Sequence, residues 1–168
     1  GSFNWNPVPS ALADLNNTNL VRITQYDPAN EDATKIESEG DFSILGKLIV
    51  TTPSAGTESW DVNTTKRIKF KKKGALQSVD VYYSYDGQSG NYVKVNGAAK
   101  NIAGAPDDGA TGEYWYDWTI DPDSTTLTAG FSGKIRVKAV TPTTQVAVAG
   151  IQQNAIEVKG TVTLLDPD

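Results

Sequence analysis

The sequence predicts an all-β chain folded as a two-sheet Greek-key sandwich, and three observations predict it. Short runs alternate apolar and polar residues with a period of two, the pattern of a half-buried strand. Gly (15 residues) and Pro (8 residues), together with Asn and Asp, punctuate those runs, as turns require. No segment sustains a helical period; Ala11 to Leu15, within PSALADL, has room for only a turn or two.

The strands are read in order along residues 47–160. Lys47 to Thr52 comes first, with Leu48 and Val50 inward, and Pro53 ends it because proline has no N–H to give a ladder. Trp60 is expected in a loop that caps one end of the core. Lys66 to Lys72 turns Ile68 and Phe70 inward and Arg67, Lys69 and Lys71 outward. Ser78 to Tyr85 sets Val79, Val81 and Tyr83 on one face and Asp80, Tyr82 and Ser84 on the other. YDGQSGN is a turn run, and a short strand returns from Tyr92 to Val95. Tyr114 to Ile120 carries Tyr116, Trp118 and Ile120 on one face. Lys134 to Val140 turns Ile135, Val137 and Ala139 inward, and Ala155 to Lys159 closes with Ile156 and Val158. Seven strands separated by turn signals suit two packed antiparallel sheets.

The chain also resembles itself. Val21-Arg22-Ile23 aligns with Ile135-Arg136-Val137, and without a gap Pro28 falls on Pro142, Ile44 on Val158, Gly46 on Gly160, Leu48 on Val162, Val50 on Leu164 and Pro53 on Pro167. Upstream, Trp5 in FNWNPVP lies near the position of Trp118 in YDWTIDP, one residue out of step. The period, 114 residues from Pro28 to Pro142, exceeds solenoid units of ~20–50 residues and suits sandwiches of ~100. The expected organisation is therefore the C-terminal part of a preceding module at 1–46, with Gly1-Ser2 read as a tag remnant. A complete module follows at 47–160. Residues 161–168 are the first strand of a following module or the last strand of this one. Deprived of its missing strands, 1–46 would expose sheet edges and an apolar face, so it is expected to pack on the complete module or borrow strands from a second molecule.

Composition narrows the chemistry. Fifteen Lys and Arg against twenty Asp and Glu give a net charge of −5, which argues against a nucleic-acid partner. The chain has no Cys, His or Met. Disulfides are excluded, and so are metal centres built on Cys or His and nucleophile systems that need them. No apolar run approaches the ~20 residues of a membrane span. A glycosidase needs two carboxylates facing each other across a cleft, and no such pair is marked, so no catalytic residue is assigned.

Several features remain as candidates. Ser84-Tyr85-Asp86-Gly87 with Tyr92 reads as an Asp-stabilised hairpin. Lys66, Arg67, Lys69, Lys71, Lys72 and Lys73 form a basic run, read either as a solvated edge guard or as a docking stripe for an acidic neighbour. Asp107, Asp108, Asp121 and Asp123 are the carboxylates that a calcium ion would use, since it takes 6–8 oxygen ligands; their alternative role is in plain turns. Asn16-Asn17-Thr18 and Asn63-Thr64-Thr65 match the glycosylation pattern, with Asn17 and Asn63 as the named candidates. Tyr82 and Trp115, with Tyr85, are aromatic residues that could stack on sugar rings or simply pair across strands.

The stretch LIVTTPSAGTESWDVNTTKRIKFKKKGALQSVDVYYSYDG, followed by YWYDWTIDP and KIRVKA, resembles the tandem immunoglobulin-like modules of large bacterial cell-surface proteins. The likeness spans most of 47–140: a strand ending in Pro53, the corner Gly56-Thr57-Glu58-Ser59-Trp60, the turn Ser84-Tyr85-Asp86-Gly87, and the strands around Trp118 and Arg136. The resemblance implies an immunoglobulin-like sandwich in an extracellular, non-catalytic scaffold of the surface-layer type that self-assembles. Its partners would be other copies, neighbouring modules or a wall or glycan polymer. The alternative is an adhesin or carbohydrate-binding module.

Overall fold

A computed structural model describes residues 2, 4, 20–24, 35–40, 42, 44–54, 58–121 and 130–160. Among them twelve strands occur. β1 (Arg22–Thr24) pairs antiparallel with β2 (Lys35–Glu37). The remaining strands are β3 (Lys47–Thr52), β4 (Glu58–Asp61), β5 (Thr65–Lys73), β6 (Ser78–Ser84), β7 (Val93–Lys94), β8 (Lys100–Asn101), β9 (Tyr114–Thr119), β10 (Gly130–Thr141), β11 (Ala149–Ile151) and β12 (Ile156–Lys159).

These ten strands make an all-β sandwich. One sheet has the order β3-β5-β9; the other runs β4-β12-β10-β6-β7, with β11 also on β10 and β8 also on β6. β10 is the spine of the second sheet. One of its edges takes β6 along most of its length, and the other takes β12 and then β11. The inward faces interlock as the alternation requires: Leu48, Ile68, Phe70, Tyr114 and Trp118 from one sheet, with Ile120 just after β9, meet Val79, Val81, Tyr83, Ile135, Val137, Ile156 and Val158 from the other. The Trp118 ring lies 5.3 Å from Tyr83 and 6.2 Å from Trp60 between centroids. Leu76, Ile102 and Val148 come from outside the strands and complete this core.

Three details differ from expectation. Trp60 lies not in a loop but in β4, which runs parallel to β12 with Trp60 opposite Val158. Its indole is buried, and Nε1 donates to Glu58 Oε2 at 3.1 Å. A four-residue strand with a single inward apolar residue is too short to show a period. β8 and β11, at two and three residues, escape for the same reason. Lys72 leaves the basic stripe: its Nζ donates to the Leu76 and Ile102 carbonyls at 2.7 and 2.5 Å. An ammonium group there satisfies two loop carbonyls, and burial lowers its pKa. Ala11 to Leu15, Trp5 and residues 161–168 lie outside the described residues.

Gly133 lets Tyr83 cross β10. A Cβ at that position would stand 2.6 Å from Tyr83 Cε2 and 3.0 Å from the Ile156 carbonyl oxygen. Gly133→Ala is expected to destabilise the sandwich by about 1–3 kcal/mol, the usual cost of overpacking. Gly97→Ala, where a Cβ meets nothing within 4 Å, should stay within about 0.5 kcal/mol. Thermal unfolding of the two variants checks the difference.

Candidate functional site

The residues that join the N-terminal segment to the sandwich form the first candidate site. β3 opens at Lys47, directly after Gly46. Gln145 lies in a 3-10 turn (Thr143–Gln145) that follows β10 and is 1% exposed. Its Oε1 accepts from the Gly46 amide at 2.7 Å, and its Nε2 donates to the Ile44 carbonyl at 3.3 Å. One side chain thus holds both sides of the joint from a turn about a hundred positions away. Gly46 fits there for lack of a Cβ, which would stand 2.9 Å from the Lys73 carbonyl oxygen and 3.0 Å from Leu76. Gln145 went unnoticed in the sequence; only its place in a Thr-rich turn after Pro142 marks it.

On the outer side of the β3-β5-β9 sheet, Arg67 and Asp117 face each other across β5 and β9. The guanidinium makes a bidentate pair, Nε to Oδ1 at 2.7 Å and Nη2 to Oδ2 at 2.9 Å. It also lies 4.5 Å above the Trp115 ring. On the second sheet Arg136 is opposite Tyr82 in register, and its guanidinium carbon stands 4.7 Å from the Tyr82 ring and 4.1 Å from the Tyr92 ring. Tyr82 and Trp115 therefore sit on opposite outer faces, each beneath an arginine, and do not form one row of aromatic rings. Tyr85 is exposed on the turn after β6. In the basic stripe, Lys69 faces Glu113 at 3.5 Å, alongside the Arg67–Asp117 pair.

The Asp86 turn is a self-contained hairpin device. Oδ1 accepts from the Gln88 amide and the Ser84 hydroxyl, both at 2.9 Å, and Oδ2 accepts from Asn91 Nδ2 at 2.6 Å. Two of the calcium candidates, Asp107 and Asp108, are likewise engaged with their own chain. Asp107 takes Lys100 at 3.0 Å and the Trp115 amide at 2.9 Å. Asp108 accepts from the Ala110 amide at 3.0 Å and the Thr111 hydroxyl at 2.7 Å. Asp121 is exposed after β9, and Asp123 lies outside the described residues. Among the described residues no three acidic side chains converge on one point. Asn63 occupies an exposed turn with φ 61°, while the Thr65 hydroxyl of its pattern faces that of Thr119 at 3.0 Å. In the upstream pattern the acceptor is the first residue, Asn16, rather than Asn17; both lie outside the described residues.

The internal repeat reappears as geometry. β1 pairs with β2 as Arg22↔Glu37, Ile23↔Ile36 and Thr24↔Lys35. β10 pairs with β11 as Arg136↔Ile151, Val137↔Gly150 and Lys138↔Ala149. Every partner in the second set is the corresponding partner in the first shifted by 114. The flanking bonds follow the same rule. Ser38 N donates to Val21 O and Gln152 N to Ile135 O, each at 2.9 Å. Val21 N donates to Ser38 Oγ, and Ile135 N to Gln152 Oε1, each at 3.2 Å.

No model of a known protein family matches the chain, and no curated protein sequence matches it either. Among the described residues no helix is long and apolar enough to cross a membrane.

Two outcomes follow from this geometry. Gln145→Ala leaves the Gly46 amide and the Ile44 carbonyl without their partner. It is expected to cost about 1–3 kcal/mol and to speed hydrogen exchange at the Gly46 amide, measured by NMR. The second concerns pH. The Gln88 amide, foremost, holds the Asp86 carboxyl below its ordinary range; the Thr111 hydroxyl does so for Asp108 and Arg67 for Asp117. A carboxyl depressed on folding stabilises above its unfolded pKa, and that stability is lost as pH falls through the folded value. The melting temperature should therefore hold steady down to about pH 5 and decline below about pH 4, less steeply in Asp86→Asn. Burial pushes the Tyr83 phenol up to about 12, so stability should also fall as pH rises from about 10 towards that value.

Proposed function

We infer that this chain is a structural repeat module of a large extracellular bacterial cell-envelope protein of the surface-layer type, a non-catalytic scaffold that self-assembles with its own kind. The observation that carries this reading is the pair of hairpins 114 residues apart with one register and the same flanking bonds. Repetition at that distance suits sandwiches strung in tandem. The strand order, with β3, β5 and β9 in one sheet and β4, β12, β10, β6 and β7 in the other, fits the Greek-key, immunoglobulin-like form of sandwich. On this reading 1–46 closes a preceding module and 47–160 is a complete one. Mechanically, the Gln145 joint transmits orientation from one module to the next, because a one-residue hinge held by two hydrogen bonds leaves little freedom. Lateral charge pairing, through Lys71 and Lys73 of the basic run on β5, supplies contacts between strings.

Electron microscopy of the full-length protein on isolated envelopes is expected to show an ordered two-dimensional array. A protein without lattice order that binds a glycan array, and loses that binding in Tyr82→Ala or Trp115→Ala, would replace the scaffold with an adhesin or carbohydrate-binding module.

A further inference from the structure

The shared register of the two hairpins also predicts what covers the first one. Val21 and Ile23 are 44% and 65% exposed, whereas Ile135 and Val137, which hold the same places on β10, are fully buried. Phe42 and Ile44 correspond in turn to the core residues Ile156 and Val158. An apolar residue stands at each of these four places, so the first hairpin carries the inner face of a sandwich. Around β10 that face is completed by β6, which sets Tyr83 opposite Ile135, Tyr82 opposite Arg136 and Val81 opposite Val137, and by the sheet packed against them. Arg22 repeats Arg136 itself.

We propose that the Val21–Ile23 face of the β1–β2 hairpin is a docking surface for an antiparallel strand of the β6 pattern, supplied in cis by an upstream module of the same polypeptide. Apolar residues of that strand lie opposite Val21 and Ile23, and an aromatic residue lies opposite Arg22. This rests on the tandem-module reading above and adds to it the identity and register of the missing partner. Two positions set a limit on the match. Gly150, whose Cβ would stand 2.6 Å from the Leu48 carbonyl oxygen, is replaced by Ile36. Gly133, over which Tyr83 crosses, is replaced by Asn19. The upstream module's first strand and its central aromatic residue therefore sit farther from the hairpin than β3 and Tyr83 sit from β10 and β11.

The test supplies the missing strands from the chain's own sequence. Residues 47–133 are joined directly to residues 20–168, which places Leu20 after Gly133 as Lys134 is placed now, and Ile36→Gly restores the close approach. Hydrogen exchange at the Thr24 amide, which alternates with the β2-facing amides of Val21 and Ile23 and so points to the opposite edge of β1, is then expected to slow by at least about a hundredfold relative to the 168-residue chain, towards the rate at the equivalent Lys138. Inserting one residue at the junction turns the apolar set to the other face and should abolish that protection. Ile23→Asp should lower the melting temperature of the joined chain and leave that of the 168-residue chain unchanged. An unprotected Thr24 amide in the joined chain overturns the proposal, as does equal protection in the shifted one. Protection in the 168-residue chain that grows with protein concentration means that a second copy covers the face, which also overturns it. Because these readouts concern folding within one chain, the absence of envelope arrays would remove the surface-layer reading and leave this one standing.

Discussion

The two sheets are held together by side chains alone. Without a cysteine in the sequence, no covalent bridge crosses the core, and the task falls to the aromatic wedge around Trp118. Its ring contacts Tyr83 across the core and Trp60 near the β4 edge. Aromatic side chains bury a large apolar area each and prefer tilted or edge contacts, which is the geometry found here. The wedge fixes the separation of the sheets, and Gly133 is the accommodation that the neighbouring backbone makes for it. The alternating Val and Ile residues fill the space that this spacing defines.

Polar groups at the margins of the core follow a consistent logic. Gln145, Lys72 and Asn96 each reach backbone groups that no strand ladder satisfies. Asn96 Oδ1 accepts from the Val81 amide and its Nδ2 donates to the Ala98 carbonyl. A buried backbone group without a partner costs about 1–3 kcal/mol, so each of these side chains removes a penalty that a short or irregular strand would incur. On the outer faces, Arg67 and Arg136 cover aromatic rings with charge, which lets large apolar surfaces face solvent without becoming sticky patches.

The coincidence of the two hairpins matters because strand register is discrete. A slip of one residue would reverse every side chain, so agreement at three successive pairs, together with the flanking backbone and side-chain bonds, reflects a common sequence pattern rather than a general likeness between strands. The same comparison explains why Val21 and Ile23 are apolar although they are exposed: the pattern is that of a core face. A string of such units joined by a single glycine would inherit its geometry from the joints, which is what a scaffold reading requires.

The outward and inward faces of β3, β5, β6, β9, β10 and β12 were legible in the sequence because each is long enough for alternation to appear. The 114-residue period was legible because it needs no gap. Asp86 was legible as a turn residue because its partners lie within five positions. β4, β8 and β11 were not, since each turns at most one apolar residue inward and so shows no alternation, whereas β12 turns both Ile156 and Val158 inward. Nor could the sequence tell that Lys72 leaves its basic run to bind loop carbonyls, or that arginines from neighbouring strands cover Tyr82 and Trp115. The deepest gap concerns Gln145, whose role depends on a carbonyl and an amide about a hundred residues away. Local patterning, which acts within a few residues, determined the strands and their faces. Contacts between distant segments, which only chain folding brings within hydrogen-bond reach, decided the joint and the partners of the polar side chains.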